Sequence, residues 1–234
     1  MEATGGPGIA GIYIIFGIFA LISMLVANRL KSRFAKYSRI PLRTGLSGRD
    51  IAEKMLADSG VRGVKVISTP GKLTDHYNPV NRTVNLSPEV YSGRSVAAAA
   101  VAAHECGHAV QHARAYAFLQ MRSKLVPVVS ISSRYMQWIL LAGILTIQTI
   151  PQIMLAGIIM FAMTTLFSFI TLPVEFDASK RALNWLNATG MTGGQEHANA
   201  KDALKWAAMT YVVAAIGSLA TLIYYVMIFL GRRN

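Results

Sequence analysis

The sequence predicts a mainly α integral membrane protein with about four transmembrane helices and a small α+β region outside the bilayer. The composition is 53% hydrophobic, and the apolar residues form long stretches that are almost free of charge. The net charge is +12, from 23 Lys+Arg and 11 Asp+Glu. In a membrane protein, basic residues concentrate on the cytoplasmic side and are attracted to anionic lipid headgroups. We therefore expect an anionic lipid bilayer, rather than nucleic acid, as the partner of this basic chain.

The first predicted transmembrane helix covers residues 8–27, an uncharged stretch long enough to cross a bilayer. Six basic residues follow it, namely Arg29, Lys31, Arg33, Lys36, Arg39 and Arg43. Because basic residues concentrate on the cytoplasmic side, we expect the next region, residues 28–134, to lie in the cytoplasm.

Residues 28–134 form the main predicted region outside the bilayer. Residues 46–58 have the periodicity of an amphipathic helix, and residues 64–67 form a short β-type run. Thr83–Leu86 alternates like a second strand, which we expect at an edge of the sheet beside the functional site. Ser87 then stands in the position of a helix cap, before a proline.

Three further apolar stretches complete the membrane region. Residues 135–150 are short for a span and can extend back through residues 125–133, whereas residues 153–172 are long enough alone. We expect these two helices to form a hairpin that returns residues 173–205 to the cytoplasm, before a last span at residues 206–230.

The pattern H-E-x-x-H occurs at His104-Glu105-Cys106-Gly107-His108, within a predicted helix over residues 93–113. Residues four apart lie on one helix face, so His104 and His108 can offer two imidazoles to one Zn2+. Glu105 then lies beside the metal, where a general base belongs. Cys106 faces another way, and we expect it to be a packed thiol.

A catalytic zinc site usually needs a third protein ligand. His112 is excluded because it lies about 12 Å from His104 along the helix axis. Glu175 and Asp177 open the segment that returns to the cytoplasm, and a carboxylate there is either a ligand or a charge favoured by the helix dipole. With Glu175 as ligand, Asp177 or Ser179 would hold a ligand in place, and Arg181 would pair with Asp177.

The segments HECGHAVQH and LPVEFDASKRAL resemble the YugP-type family of bacterial membrane zinc metallopeptidases, and YNPVNRTVNLSP extends the similarity over essentially the whole chain. More distantly, they resemble the HtpX and prenyl-protein-protease group, which has cytoplasm-facing zinc. The resemblance implies a zincin-like region, one zinc ion, Glu175 as third ligand and a bacterial inner membrane location. In that group an Asp occupies the position of Ser179, so Asp177 is the alternative supporting residue.

We therefore expect a gluzincin-like zinc endopeptidase that acts on a peptide or protein, including a membrane protein. His76 or Tyr77 is a candidate oxyanion donor. An extended substrate would pair with the predicted edge strand, formed by Thr83, Val84, Asn85 and Leu86.

Two alternatives stay open. A site-2-type intramembrane protease would place the motif within a span, but polar Gln111, His112 and Arg114 follow within two turns of the motif. A non-catalytic zinc-stabilised scaffold or chaperone would hold the metal in a closed, fully protein-ligated site.

Overall fold

The computed structural model describes residues 9–231, so the predicted start of the first span at residue 8 lies outside the described residues. Within this range the protein is mostly helical. The helices are α1 (Ile9–Tyr37), α2 (Gly48–Asp58), α3 (Pro88–Tyr91), α4 (Val96–Ala113), α5 (Ala117–Leu145), α6 (Pro151–Ala188) and α7 (Gly194–Gly231), and the strands are β1 (Lys65–Ser68), β2 (His76–Asn78) and β3 (Thr83–Leu86).

The chain divides into two compact units. One comprises the chain up to Leu25, Met121–Leu172 and the chain from Thr210 onwards. The other comprises Val26–Gln120 and Pro173–Met209, and it contains the sheet and the H-E-x-x-H helix.

Within residues 9–231, four helices are long and apolar enough to cross a membrane. They are α1, α5, α6 and α7. The four predicted spans therefore coincide with four helices. Helix α5 includes residues 125–133, so the helix around the short apolar stretch at 135–150 extends toward the N-terminus, as expected. Residues 146–150 form the turn before α6 rather than the end of a helix.

In the first unit, helices α5 and α6 approach closely. A Cβ added to Gly143 would lie 2.6 Å from the Cα of Met154, so only glycine allows this contact. Met154 is fully buried there together with Leu140 and Ile158. The predicted hairpin is thus held by small-residue packing at its closed end.

In the second unit, helix α4 forms the centre of the core. The Ser95 hydroxyl caps its first turn by accepting a hydrogen bond from the Ala98 amide at 3.2 Å. The alanines of its first half are buried and allow α2 to pack against it through Ile51 and Met55. Because α4 is surrounded by protein, the histidines at its C-terminal half are held by a rigid element.

The sheet has the strand order β1-β3-β2, with β3 parallel to β1 and antiparallel to β2. The prediction of a strand at Thr83–Leu86 is confirmed, but its predicted edge position is wrong. Strand β3 is central, with Val84, Asn85 and Leu86 all buried. Thr83, Val84 and Asn85 are thus already paired on both sides and Leu86 is paired with β1, so this strand cannot accept an added substrate strand.

Ser87 occupies the predicted cap position, but its side chain makes no capping bond to α3. Its amide and hydroxyl instead donate to the two carboxylate oxygens of Asp75, at 2.7 and 3.2 Å. This contact fixes the end of β3 to the loop that leads into β2.

Candidate metal centre

The candidate site forms where α4 and α6 meet. A Cβ added to Gly107 would lie 2.5 Å from the backbone oxygen of Ala178 and 3.0 Å from its Cα, so the two helix backbones are in direct contact. Gly107 lies between the histidines of H-E-x-x-H, and Ala178 lies one turn after Glu175. The close approach therefore brings the two histidines to the carboxylate.

His104, His108 and Glu175 come together at this contact. The Nε2 atoms of His104 and His108 lie 3.3 and 3.7 Å from Glu175 Oε2. One ligand atom from each residue lies within 4.8 Å of the others, and the two imidazole rings meet edge to face with centroids 4.8 Å apart. All three side chains are almost fully shielded from solvent.

This arrangement fits a zinc ion. Zn2+ takes imidazole nitrogen and carboxylate oxygen ligands at about 2.0–2.2 Å, which in a tetrahedron places neighbouring ligand atoms about 3.3 Å apart. The observed Nε2–Oε2 separations of 3.3 and 3.7 Å are close to that value. A set of two histidines and one carboxylate also leaves a fourth position for water, as catalytic zinc sites require.

Both histidines are oriented from behind by hydrogen bonds at Nδ1. His104 Nδ1 lies 3.1 Å from Ser179 Oγ, and His108 Nδ1 lies 3.0 Å from Gln111 Oε1. With Nδ1 engaged by the protein, Nε2 of each ring faces Glu175. Hydrogen bonds of this kind commonly orient metal-binding histidines.

Asp177 and Arg181 support the site indirectly. Gln111 Nε2 donates to Asp177 Oδ2 at 2.8 Å, and Arg181 Nε donates to the same oxygen at 2.5 Å. The expected ion pair between Asp177 and Arg181 is therefore present. Of the two predicted supporting residues, Ser179 touches a histidine directly and Asp177 does so through Gln111.

Gln111 is the residue that sequence reasoning missed. From the sequence it was named only as a polar residue that follows the motif, because a glutamine is not a typical zinc ligand. The available signal was its position three residues after His108, which on a helix places both side chains on one face.

Burial and charge act in opposite directions on His108. Burial by itself lowers its pKa, but the nearby carboxylate of Glu175 and the charge of Glu105 outweigh burial and raise the pKa above its ordinary value. The same negative charges favour a metal cation at this position.

Glu105 lies on α4 directly after His104 and is 8% exposed. Within residues 9–231, no side-chain hydrogen bond or ion pair occupies its carboxylate. A shielded carboxylate without a competing partner is suited to exchange a proton with a neighbouring water molecule.

The two candidate oxyanion donors differ in their surroundings. The Tyr77 hydroxyl shares a hydrogen bond of 2.8 Å with His112 Nδ1 on α4, and burial raises the tyrosine pKa, so the phenol keeps its proton at neutral pH. His76 is exposed, and its Nδ1 lies 2.7 Å from the backbone oxygen of Thr74. Neighbouring strand residues point to opposite faces, so Tyr77 is the one that reaches α4.

Cys106 is a packed thiol, as expected. It is fully buried, and its Sγ donates to the backbone oxygen of Ala52 on α2 at 3.5 Å. Cys106 thus faces α2, which packs on the side of α4 away from the metal-binding cluster.

A family model described as "Putative neutral zinc metallopeptidase" matches residues 12–230. The chain belongs to this zinc metallopeptidase family. A curated relative, the "Putative membrane protease YugP" of Bacillus subtilis (strain 168), is 41% identical over 224 residues, which cover 95% of this chain and 99% of the relative. No solved structure matches the chain. The match to the metallopeptidase family includes both helices that carry the His-His-Glu cluster.

Proposed function

We propose that the protein is a membrane-embedded zinc endopeptidase that binds one Zn2+ through His104, His108 and Glu175. The observation that carries this proposal is the convergence of three ligand atoms within 4.8 Å, in a member of a zinc metallopeptidase family. The class is gluzincin-like, since the third ligand is a glutamate from a later helix.

Glu105 is the proposed general base. A zinc ion held by the three ligands would supply Lewis-acid activation of a water molecule and of the scissile carbonyl group. The Glu105 carboxylate would accept a proton from the attacking water and then deliver it to the leaving amine. Its shielded position favours this role, because no other described side chain competes for the carboxylate.

Tyr77 is the proposed oxyanion donor. If His112 Nδ1 carries its proton and donates to the Tyr77 oxygen, the phenolic proton is left free for the substrate carbonyl oxygen. The raised pKa of Tyr77 keeps that proton in place at neutral pH.

The proposed substrate strand is β2 rather than β3. Strand β2 is at an edge of the three-stranded sheet, and Tyr77 within it contacts the H-E-x-x-H helix. An extended peptide could add to this edge by main-chain hydrogen bonds and pass the candidate site. The peptide would come from a soluble or a membrane protein.

We also propose that the active site faces the cytoplasm of a bacterial inner membrane, with the basic segment near anionic lipid headgroups. The run of basic residues after the first apolar stretch supports this orientation. A Val80→Cys variant tests it, because Val80 is 88% exposed and the native Cys106 is buried. A membrane-impermeant maleimide should label Val80→Cys only after cells are opened, and labelling of intact cells would contradict the orientation.

The zinc endopeptidase is tested on the purified full-length protein in detergent. We expect one zinc per chain by elemental analysis, and cleavage of a peptide library that 1,10-phenanthroline stops and added zinc restores. A protein that neither retains nor takes up zinc would contradict the proposal.

The same experiment separates the alternatives. Bound zinc without cleavage, and without binding of a hydroxamate, would favour a closed structural site in a scaffold or chaperone. Cleavage confined to membrane-spanning segments of substrates would favour the site-2-type protease.

A further inference from the structure

Gln111 is a fully buried polar side chain that joins the candidate site to α6. Its Oε1 lies 3.0 Å from His108 Nδ1, and its Nε2 lies 2.8 Å from both the Val174 backbone oxygen and Asp177 Oδ2. An amide group has two donor protons and one acceptor oxygen, and all three functions are used here. The side chain therefore has no freedom to exchange its oxygen and nitrogen.

The orientation of this amide follows from its partners. A backbone carbonyl and a carboxylate are both acceptors, so the atom that faces Val174 and Asp177 has to be the NH2 group. The amide oxygen then faces His108 Nδ1 and can only accept. His108 therefore carries a proton on Nδ1, and Nε2, which faces Glu175, is the nitrogen that remains to bind a metal ion.

Asp177 is itself held in place. Arg181 Nε donates to the same oxygen that receives the Gln111 amide, and the Arg181 guanidinium lies 5.9 Å from the centre of the Tyr116 ring. The charge-assisted hydrogen bond from Arg181 holds this carboxylate in one orientation.

His104 lacks an equivalent constraint. Its Nδ1 meets the Ser179 hydroxyl, and a hydroxyl can either donate or accept. Ser179 therefore orients the His104 ring without selecting its tautomer. The two histidines of the motif are supported unequally.

We propose that Gln111 is a positioning residue that locks His108 in the Nδ1–H tautomer and thereby prepares its Nε2 for zinc. This inference rests on the proposed zinc site and adds a residue that acts through a ligand, without touching metal or substrate. Asp177 and Arg181 extend the support by fixing the Gln111 amide.

Two matched variants test the effect on the metal. Gln111→Met and Asn199→Leu each replace a buried amide by an apolar side chain of similar size, and Asn199 bonds Gln195 rather than a histidine. Zinc affinity is measured by competition with a chromophoric chelator on the full-length protein. We expect Gln111→Met to weaken zinc binding about 10- to 100-fold and Asn199→Leu to stay within about twofold of the wild type.

A tautomer measurement separates positioning from general support of the fold. In the zinc-loaded wild type, correlation spectra of ring-15N-labelled histidine should show His108 with a proton on Nδ1 and none on Nε2. In Gln111→Met the Nδ1 proton should lose the chemical shift of a hydrogen-bonded proton. A wild type protonated on Nε2 would overturn the inference, and this result does not require that the variant folds.

The remaining outcomes are also decisive. One zinc per wild-type chain with unchanged affinity in Gln111→Met would overturn the positioning role and leave the proposed function standing. A wild type that binds no zinc would overturn both.

Discussion

Gly107 and Ala178 are in backbone contact, and this contact brings the two halves of the candidate metal centre together. No side chain larger than hydrogen fits at residue 107, because its Cβ would lie 2.5 Å from the Ala178 oxygen. The H-E-x-x-H pattern allows any residue at position 107, but in this protein the packing of α4 against α6 requires glycine there.

We predict that Gly107→Ala lowers both stability and zinc affinity. The added methyl group has to separate α4 from α6, which costs about 1–3 kcal/mol of folding free energy and increases the histidine-to-Glu175 distances. Gly193→Ala is the matched control, since a Cβ there meets nothing within 4 Å. Thermal unfolding and chelator competition measure both effects, and a Gly107→Ala protein that behaves like Gly193→Ala would contradict the close contact.

Glu105→Gln should keep the fold and the zinc but lose cleavage. The amide retains the size of the side chain but cannot accept a proton from water, so we expect the cleavage rate to fall about 10²- to 10⁴-fold. Glu53→Gln on the exposed face of α2 is the control and should be fully active. Zinc content and peptide cleavage are measured together, and full activity in Glu105→Gln would exclude Glu105 as the base.

Glu175→Ala should lose zinc affinity by removing a ligand. The two histidines alone would hold the ion weakly, and we expect stoichiometric zinc binding to be lost during dialysis. Asp177→Ala is the comparison, because Asp177 reaches His108 only through Gln111 and should cause a smaller loss. If Glu175→Ala retains wild-type zinc affinity while Asp177→Ala loses it, Asp177 rather than Glu175 is the ligand.

Cys106 should be inert toward thiol reagents in the folded protein. Burial, and to a lesser degree the negative charge of Glu105, raise the pKa of its thiol well above the ordinary value, so the reactive thiolate is scarce at pH 8. We expect no reaction with a disulfide reagent until denaturant is added, and then one thiol per chain. Rapid reaction of the native protein would contradict the packing of Cys106 against α2.

The motif helix and the four apolar helices could be predicted because each has a periodic or compositional signal. His104 and His108 are four residues apart on one helix, and this spacing alone places both imidazoles on one face. The apolar stretches are recognisable by length and absence of charge. Each of these signals lies within one stretch of the chain, so it can be interpreted without knowing which other elements the stretch contacts.

The features that sequence reasoning missed depend on partners distant in the chain. Alternation within Thr83–Leu86 indicates a strand, but it cannot tell whether one or two neighbours pair with it, and β1 pairs with it in parallel across a long connection. Gln111 similarly acquires its role from Asp177 and the Val174 carbonyl on another helix. The residue pattern predicted elements rather than contacts between them, and the contact of Glu175 with the two histidines was expected only from the family resemblance.

The proposed ligands come from two helices, α4 and α6, that are separated by a long stretch of chain. An ion bound by both would close a large loop in the folded state, and the unfolded chain offers no preformed site. Folding free energy would then increase with the free zinc concentration. The zinc supply in the cell would thereby affect how fast this protein is degraded. Zinc starvation would then lower the amount of the protein as well as its catalytic rate.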